Sequence, residues 1–191
     1  MQIILASSSI YRKALLERLP IVFSSEKPEI DESPLKDETP MQLATRLALV
    51  KARHIASKHS NALVIGSDQV AVIEGTIVGK PGNRARAIQQ LSAASGKTVQ
   101  FLTGLCLYNS HNDSYQTDAI PFKVFFRTLS LAEIESYVDI EKPFNCSGSF
   151  KWEKLGIALF EKMEGDDVTA LEGLPLIRLI DMLKHAGHPI L

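Results

Sequence analysis

The chain has 191 residues, 45% hydrophobic and 23% charged, with a formal net charge of −1. That composition is ordinary for a folded protein, and the near-neutral balance provides no global field toward a nucleic-acid polymer or an anionic membrane surface. Phosphate binding would therefore have to come from local clusters of cations.

The length fits one domain, or one domain with two lobes. The amino terminus, Met1-Gln2-Ile3-Ile4-Leu5-Ala6-Ser7, lacks a basic n-region and its apolar run is too short for a signal peptide. No stretch approaches the ~20 apolar residues of a membrane span. Cys106 and Cys146 have neither C-x-x-C nor zinc-type spacing. They are expected to be buried and unlinked in a reducing compartment, which points to the cytoplasm.

Ile3-Ile4-Leu5-Ala6 reads as a short strand, followed by Ser7-Ser8-Ser9 and a helix over 10–19. Ser9 is its N-cap, and Leu15, Leu16 and Leu19 its buried side. A strand, a turn of hydroxyl residues and a helix start can bind an anion. Arg12 in the first turn opposes the helix dipole, so it either bridges to such an anion or swings into solvent. Residues 22–37 read as loop, with Pro28, Pro34 and the acidic set Glu29, Asp31 and Glu32. Those carboxylates are either solvated or hold a hard cation. Thr39-Pro40-Met41-Gln42 is a capping box with proline at N1, opening a helix to about residue 58. Leu43, Leu47 and Val50 mark its buried stripe. Lys51 sits at the stripe's edge, either snorkelling or pointing into a cleft.

Ala62-Leu63-Val64-Ile65 and Val70-Ala71-Val72-Ile73 read as buried strand segments, interrupted by Gly66-Ser67-Asp68-Gln69. The interruption suggests a bend, and its Asp68 is either a solvated turn residue or a paired, functional carboxylate. Glu74-Gly75 turns the chain into a hairpin with 76–78, which leads to Gly79-Lys80-Pro81. Asn83 caps a helix to about residue 93, closed by Gly96. Gly96-Lys97-Thr98 is not a P-loop, because Leu91 stands where the first glycine belongs and the segment joins a helix to a strand. Residues 99–107 alternate as a strand with Gly104 as a candidate bulge, and 122–126 form another. Ser130-x-x-Glu133 caps a helix to about residue 138. An irregular stretch over 143–156 precedes a last strand at 157–160. Leu176, Leu179, Ile180 and Leu183 define a final helix from Pro175 to Gly187. Helices alternating with hairpins predict an α/β fold with a mixed β-sheet flanked by helices.

Leu5-Ala6-Ser7-Ser8-Ser9-x-x-Arg12, Glu29-x-Asp31-Glu32, Lys51-Ala52, Gly66-Ser67-Asp68-Gln69, Gly79-Lys80-Pro81 and Gly173-Leu174-Pro175-Leu176 resemble, in order and over nearly the whole chain, the Maf-like nucleotide pyrophosphatases. The resemblance implies one Maf-like α/β domain over 1–191, elongated, with a cleft between two lobes. It implies a cytoplasmic enzyme that uses a divalent cation, Mg²⁺ or Mn²⁺, to hydrolyse nucleoside triphosphates to the monophosphate and diphosphate, and it leaves a homodimer open. Gln69, and the run Cys146-Ser147-Gly148-Ser149-Phe150-Lys151-x-Glu153, are similar to the branch acting on 7-methyl-GTP.

By that resemblance Asp68 is the proton acceptor, and Tyr11, Gln69 and Glu153 are specificity positions. Ser7, Arg12, Lys51 and Lys80 handle phosphate, and Glu32 joins Asp68 near the metal. Ile10, Ser147 and Lys154 depart from the family's usual proline, alanine and glycine, and the loop at Gly165-Asp166-Asp167-Val168-Thr169 lacks the proline common after its Asp. Every proposed chemical group is nonetheless present. The chemistry is coherent: Asp68 either takes a proton from the attacking water or positions a metal that activates it. A carboxylate at Glu153 suits the N1–H and N2–H₂ donors of guanine. An aromatic face at Tyr11 suits the cationic 7-methylguanine ring, with Trp152 as a rival platform.

Overall fold

In the computed structural model, which describes residues 1–191, the Val- and Ile-rich run at 62–73 is one unbroken strand, β3 (Ala62–Ile73). The bend expected at Gly66-Ser67-Asp68-Gln69 is absent. Polar residues sit in mid-strand because each has a partner, as described below. Around β3 the chain runs β1 (Gln2–Leu5), α1 (Ile10–Leu16), β2 (Phe23–Ser25) and α2 (Pro40–Ala56) before it, then β4 (Thr76–Val78), α3 (Arg84–Ala94), β5 (Thr98–Asn109) and β6 (Ser114–Phe126). It ends with α4 (Leu131–Glu141), β7 (Phe160–Glu164) and α5 (Leu176–His185), with short 3-10 turns at Ser147–Ser149, Leu155–Leu159 and Val168–Glu172.

The seven strands form an open mixed sheet in the order β2-β1-β3-β5-β6-β7, with β4 also paired to β3. β1 is parallel to both neighbours, pairing Ile3 with Phe23 and with Leu63. β4 is antiparallel to β3, and β7 to β6. The mixed sheet flanked by helices is thus as expected.

The chain divides into two compact units. The first comprises Met1–Gln69, Leu102–Ile120 and Asp167–Leu191, the second Val70–Phe101 and Pro121–Asp166. In the first unit, strand alternation splits the core in two. Ile3, Leu5, Leu63 and Ile65 face α1 and α5, packing on Leu15, Leu16, Leu179, Met182 and Leu183. Ile4, Ala6, Ala62 and Val64 face α2, packing on Ala48, Ala52 and Ile55. In the second unit Phe150 meets Phe101, Phe126 and Phe160 edge-on, with ring centroids 5.3, 5.6 and 4.9 Å away.

The helix caps are those the sequence predicts. Ser9, Thr39, Asn83 and Ser130 each accept a backbone N–H three residues on, and Thr39 and Ser130 complete capping boxes. Other expectations need correction. α1 ends at Leu16, not 19. The 22–37 loop contains β2, a three-residue edge strand that β1 templates. The last strand is not 157–160: those residues close a 3-10 turn, and the charged run Phe160–Glu164 pairs with β6 instead. Gly104 serves close packing within the continuous strand β5, where α2 passes directly over it.

Cys106 is buried in the α2-side core, Cys146 is half-buried rather than buried, and neither is in a disulfide. Burial pushes the Cys106 thiol up to about 12, against a smaller downward pull from Arg53. An unfolded thiol ionises near ~8.5. Above that pH the unfolded chain sheds a proton the folded chain retains, so stability falls as pH rises toward 12. The expected result is a falling denaturant midpoint between about pH 8 and pH 11, with a shallower fall for Cys106→Ala. Parallel curves for the two proteins would contradict it.

Candidate active site

Alternation along β3 continues from the core into the site. Ala62, Val64 and Gly66 face α2, and Asp68 follows them to that side. A Cβ at Gly66 would lie 2.9 Å from the Ala52 Cβ and closer still to the Ala48 carbonyl oxygen. One at Gly104 would lie 2.9 Å from the Thr45 nitrogen and closer to the Ala44 carbonyl. α2 therefore lies almost on the backbone of β3 and β5, by way of Ala44, Ala48 and Ala52. This close approach brings Lys51 to Asp68: its Nζ donates to Asp68 Oδ1 at 2.7 Å. The lysine does not snorkel. It is 5% exposed and Asp68 9%.

The same ammonium is 2.8 Å from Glu32 Oε1, on a side chain still 57% exposed. Glu32 is held there by its loop: Arg46 of α2 donates to both Glu38 oxygens (2.6 and 2.9 Å) and to the Ser33 carbonyl (3.0 Å). Glu29 and Asp31 stay outside the cluster. Asp31 accepts from the Ser33 N–H, and no group of three His, Cys, Asp or Glu side chains converges to hold a metal. The loop is therefore not a self-contained cation site, and only Glu32 of its acidic set reaches Asp68's partner.

Arg12 completes the cluster. Burial draws its pKa below the usual guanidinium value, while Asp68 and Glu32 pull it back up, so it remains a cation coupled to both. Its Nε donates to the Gly173 carbonyl at 2.8 Å. Lys51 is thus ion-paired with both carboxylates, Asp68 and Glu32, and Arg12 lies within electrostatic reach of the same two. Pairing of this kind is what makes burial of such charges tolerable. Asp68 Oδ1 is engaged by Lys51, whereas Oδ2 takes no protein hydrogen bond and is not sealed from solvent.

The serine turn is folded on itself. Ser7, buried, accepts from the Ser9 N–H at 3.1 Å, and Ser9 accepts from the Arg12 N–H. Tyr11 is half-buried on α1.

Ser67 and Gln69 point to the opposite side of β3. The Ser67 hydroxyl lies 2.8 Å from the Gly104 carbonyl and 2.7 Å from that of Gly173. Gln69 Nε2 donates to the carbonyls of Ala170 (2.8 Å) and Leu171 (3.1 Å) and meets Thr103 Oγ1 at 3.2 Å. Its amide N–H groups are spent on the Val168–Glu172 turn, so its free atom is the acceptor Oε1. Lys80, in the segment after β4, and Glu153, in the turn before Leu155–Leu159, are both exposed and belong to the second unit. Beside Glu153, the Trp152 indole N–H is buried without a hydrogen-bond partner.

The structure therefore brings Asp68, Lys51, Glu32 and Arg12 together, with Ser7 in the turn leading to Arg12. Arg46, Ser67, Thr103 and Asp167 also shape the site and were not singled out from the sequence. Arg46 could have been, as a basic residue two helical turns after the α2 cap and eight residues after Glu38. Ser67 and Thr103 donate to backbone carbonyls far away in the chain, which leave no mark in the sequence. Asp167, at a loop position with no regular pattern, accepts from the N–H groups of Thr169 and Ile177.

A buried, cation-paired carboxylate thus stands at the middle strand of an open mixed α/β sheet, beside further charged groups that a packed core alone would not require. The Maf-like protein family model matches residues 2–186, and the chain belongs to that family. It is 54% identical to the 7-methyl-GTP pyrophosphatase of Pseudomonas savastanoi pv. phaseolicola, over 97% of this chain and 96% of that one. It is 55% identical to the protein of the same name from Alcanivorax borkumensis, over 97% and 94%. For that of Nitrosococcus oceani the figures are 53%, over 99% and 95%. Among solved structures, the Staphylococcus aureus Ham1 protein is a looser likeness, with 12% identity and a TM-score of 0.46 over 82% of this chain and 90% of that one.

Proposed function

We propose that the chain hydrolyses 7-methyl-GTP to 7-methyl-GMP and diphosphate. The observation that carries the reading is the Asp68–Lys51–Glu32 cluster, in a chain whose relatives of more than half identity bear that activity in their names. Water attacks the α-phosphorus, the bond from that phosphorus to the bridging oxygen breaks, and diphosphate departs. Asp68 Oδ2 accepts the water's proton while Lys51 holds Oδ1 and fixes the carboxylate plane. Arg12, anchored through Nε, offers its two terminal nitrogens to phosphate oxygens in a fork.

Charge supports a divalent cation. Arg12 and Lys51 are cancelled by Asp68 and Glu32, so these four groups present no net positive charge to a triphosphate. Asp68 and Glu32 would hold the ion, and hard carboxylate oxygens completed by phosphate and water fit Mg²⁺ or Mn²⁺. That ion would neutralise charge developing on the phosphates. A cytoplasmic location belongs to the proposal and is supported by the two unlinked cysteines.

For the base, Gln69 Oε1 is an acceptor suited to the N–H donors of guanine, and Tyr11 is an aromatic suited to its cationic 7-methyl ring. Lys80 is assigned a phosphate-binding part and Glu153 a guanine-reading one. The test is initial-rate kinetics with Mg²⁺ or Mn²⁺ over 7-methyl-GTP, GTP, dTTP and UTP. The expected result is a preference for 7-methyl-GTP of about 10-fold or more, narrowed in Glu153→Gln. Equal rates across the panel would overturn the substrate assignment. The turning of Gln69 away from Asp68 favours one second reading, a pyrophosphatase with a broader range of modified or canonical triphosphates, and the same panel separates the two.

A further inference from the structure

The Val168–Glu172 turn carries no side chain assigned to the chemistry, yet its carbonyls and that of Gly173 receive three site residues: Arg12, Ser67 and Gln69. Thr103 also donates to Ala170, at 2.8 Å. The turn is held in place by a buried polar pair. Asp167 is only 4% exposed. Its Oδ1 accepts from the Thr169 N–H (2.9 Å) and hydroxyl (2.6 Å), and its Oδ2 from the Ile177 N–H at 2.8 Å. Thr169 Oγ1 accepts in turn from the Leu176 N–H at 2.8 Å. The two side chains tie the amino-terminal end of the segment to the first residues of α5, whose apolar side is fixed in the core, so the turn between them closes into a loop.

We infer that Asp167 and Thr169 are positioning residues for phosphate recognition: they fix the turn whose Gly173 carbonyl aims the Arg12 guanidinium at the ligand. A buried carboxylate with three donors tolerates little change, because an unmatched partner would lose its hydrogen bond with no water to replace it. Slackening the turn releases the Arg12 Nε anchor and frees the fork to wander, and a misplacement of about 1 Å is enough to matter in such a site. The Gln69 amide, bonded to the same turn, moves with it.

The inference rests on the proposed function only in treating Arg12 as a phosphate ligand, so the test begins without turnover. Calorimetric titration of inorganic diphosphate with Mg²⁺ is compared in wild type, Asp167→Asn, Thr169→Val and Thr169→Ser, alongside KM and kcat for whichever triphosphate the wild type prefers. Asp167→Asn turns one acceptor into a donor facing N–H groups, and Thr169→Val deletes one hydroxyl. Both are expected to weaken diphosphate binding and raise KM by about 10-fold, with kcat changed less. Thr169→Ser should restore both to near wild type.

In an Arg12→Met background the Asp167→Asn effect should largely vanish, since both act through one group. Ile134→Val, a cavity beside α4 in the second unit, controls for lost stability and should leave diphosphate affinity unchanged. Unchanged affinity in a folded Thr169→Val protein, or full additivity with Arg12→Met, would overturn the inference. Should Asp167→Asn fail to fold, the Thr169→Val and Thr169→Ser pair decides it. Intact diphosphate effects without 7-methyl-GTP hydrolysis would instead overturn the substrate reading and leave this inference standing.

Discussion

Asp68→Asn is expected to lower kcat by at least ~10²-fold while leaving the protein folded and KM no higher. The amide keeps the size of the carboxylate and an oxygen for Lys51, so the contact at 2.7 Å can survive. What it loses is the capacity to take a proton at Oδ2. Electrostatically the change is tolerable, because Lys51 retains Glu32 at 2.8 Å as a counter-ion. Removing one negative charge from a balanced set of two cations and two carboxylates leaves a net +1 facing the phosphates, which offsets the weaker hold on the ion and, at saturating Mg²⁺, should keep substrate binding intact. The diagnostic is therefore a split: kcat falls, and KM holds. Initial rates with saturating Mg²⁺, alongside a melting curve, read it directly. Near-normal turnover would remove Asp68 as proton acceptor. A rise in KM matching the fall in kcat would move its role from the chemistry to binding.

Much of this site was legible because the signals are local. The caps at Ser9, Thr39, Asn83 and Ser130 are written within three residues of their targets. The apolar runs at 3–6 and 62–65 are strands buried on both faces, which a short Val- and Ile-rich run indicates without help. Asp68, Lys51, Glu32 and Arg12 stand out through the motifs around them, by resemblance to the family, and the structure places Lys51 against both Asp68 and Glu32. What was not legible depends on distant partners. β2 is a strand because β1 offers it a ladder, and β7 because β6 does.

A lysine at the edge of an apolar stripe usually snorkels, and Lys51 does not, because α2 lies against two glycines that bring it to Asp68. The polar run Gly66-Ser67-Asp68-Gln69 looked like a bend because an isolated sequence does not show where Ser67 and Gln69 find their carbonyls, more than 30 and 100 residues away. Once 62–73 is one strand, period-two alternation separates Asp68 from Gln69 by itself. The residue proposed as proton acceptor and the residue proposed to read the base then serve opposite faces of the sheet. Gln69 and Arg12 are both bonded to the 168–173 segment.

The second large effect lies in the packing that makes the cluster possible. Gly66→Ala is expected to destabilise the fold by about 3 kcal/mol, toward the upper end for overpacking, and to reduce activity by about 10²-fold. The added methyl meets backbone, the Ala48 carbonyl oxygen and the Ala52 nitrogen, so no rotamer change relieves it. The only relief is retreat of α2 by about 1 Å, to restore an ordinary C···O separation of about 3.3 Å. α2 carries Lys51 one residue before Ala52 and Arg46 two before Ala48. The retreat therefore draws the ammonium from Asp68 and the loop of Glu32 away with it.

For a chain of this length each kcal/mol is worth roughly 2–4 °C in Tm, giving an expected drop of about 6–12 °C. Gly104→Ala, under the same helix at Ala44, should lower Tm comparably but cost less activity, because its clash lies about two turns before Lys51. Thermal melts and rates measured well below both melting points separate the two effects. A Gly66→Ala protein melting within about 2 °C of wild type would mean that α2 yields without cost. Equal activity in the two variants would mean that the seat of Lys51 does not depend on the contact beneath it.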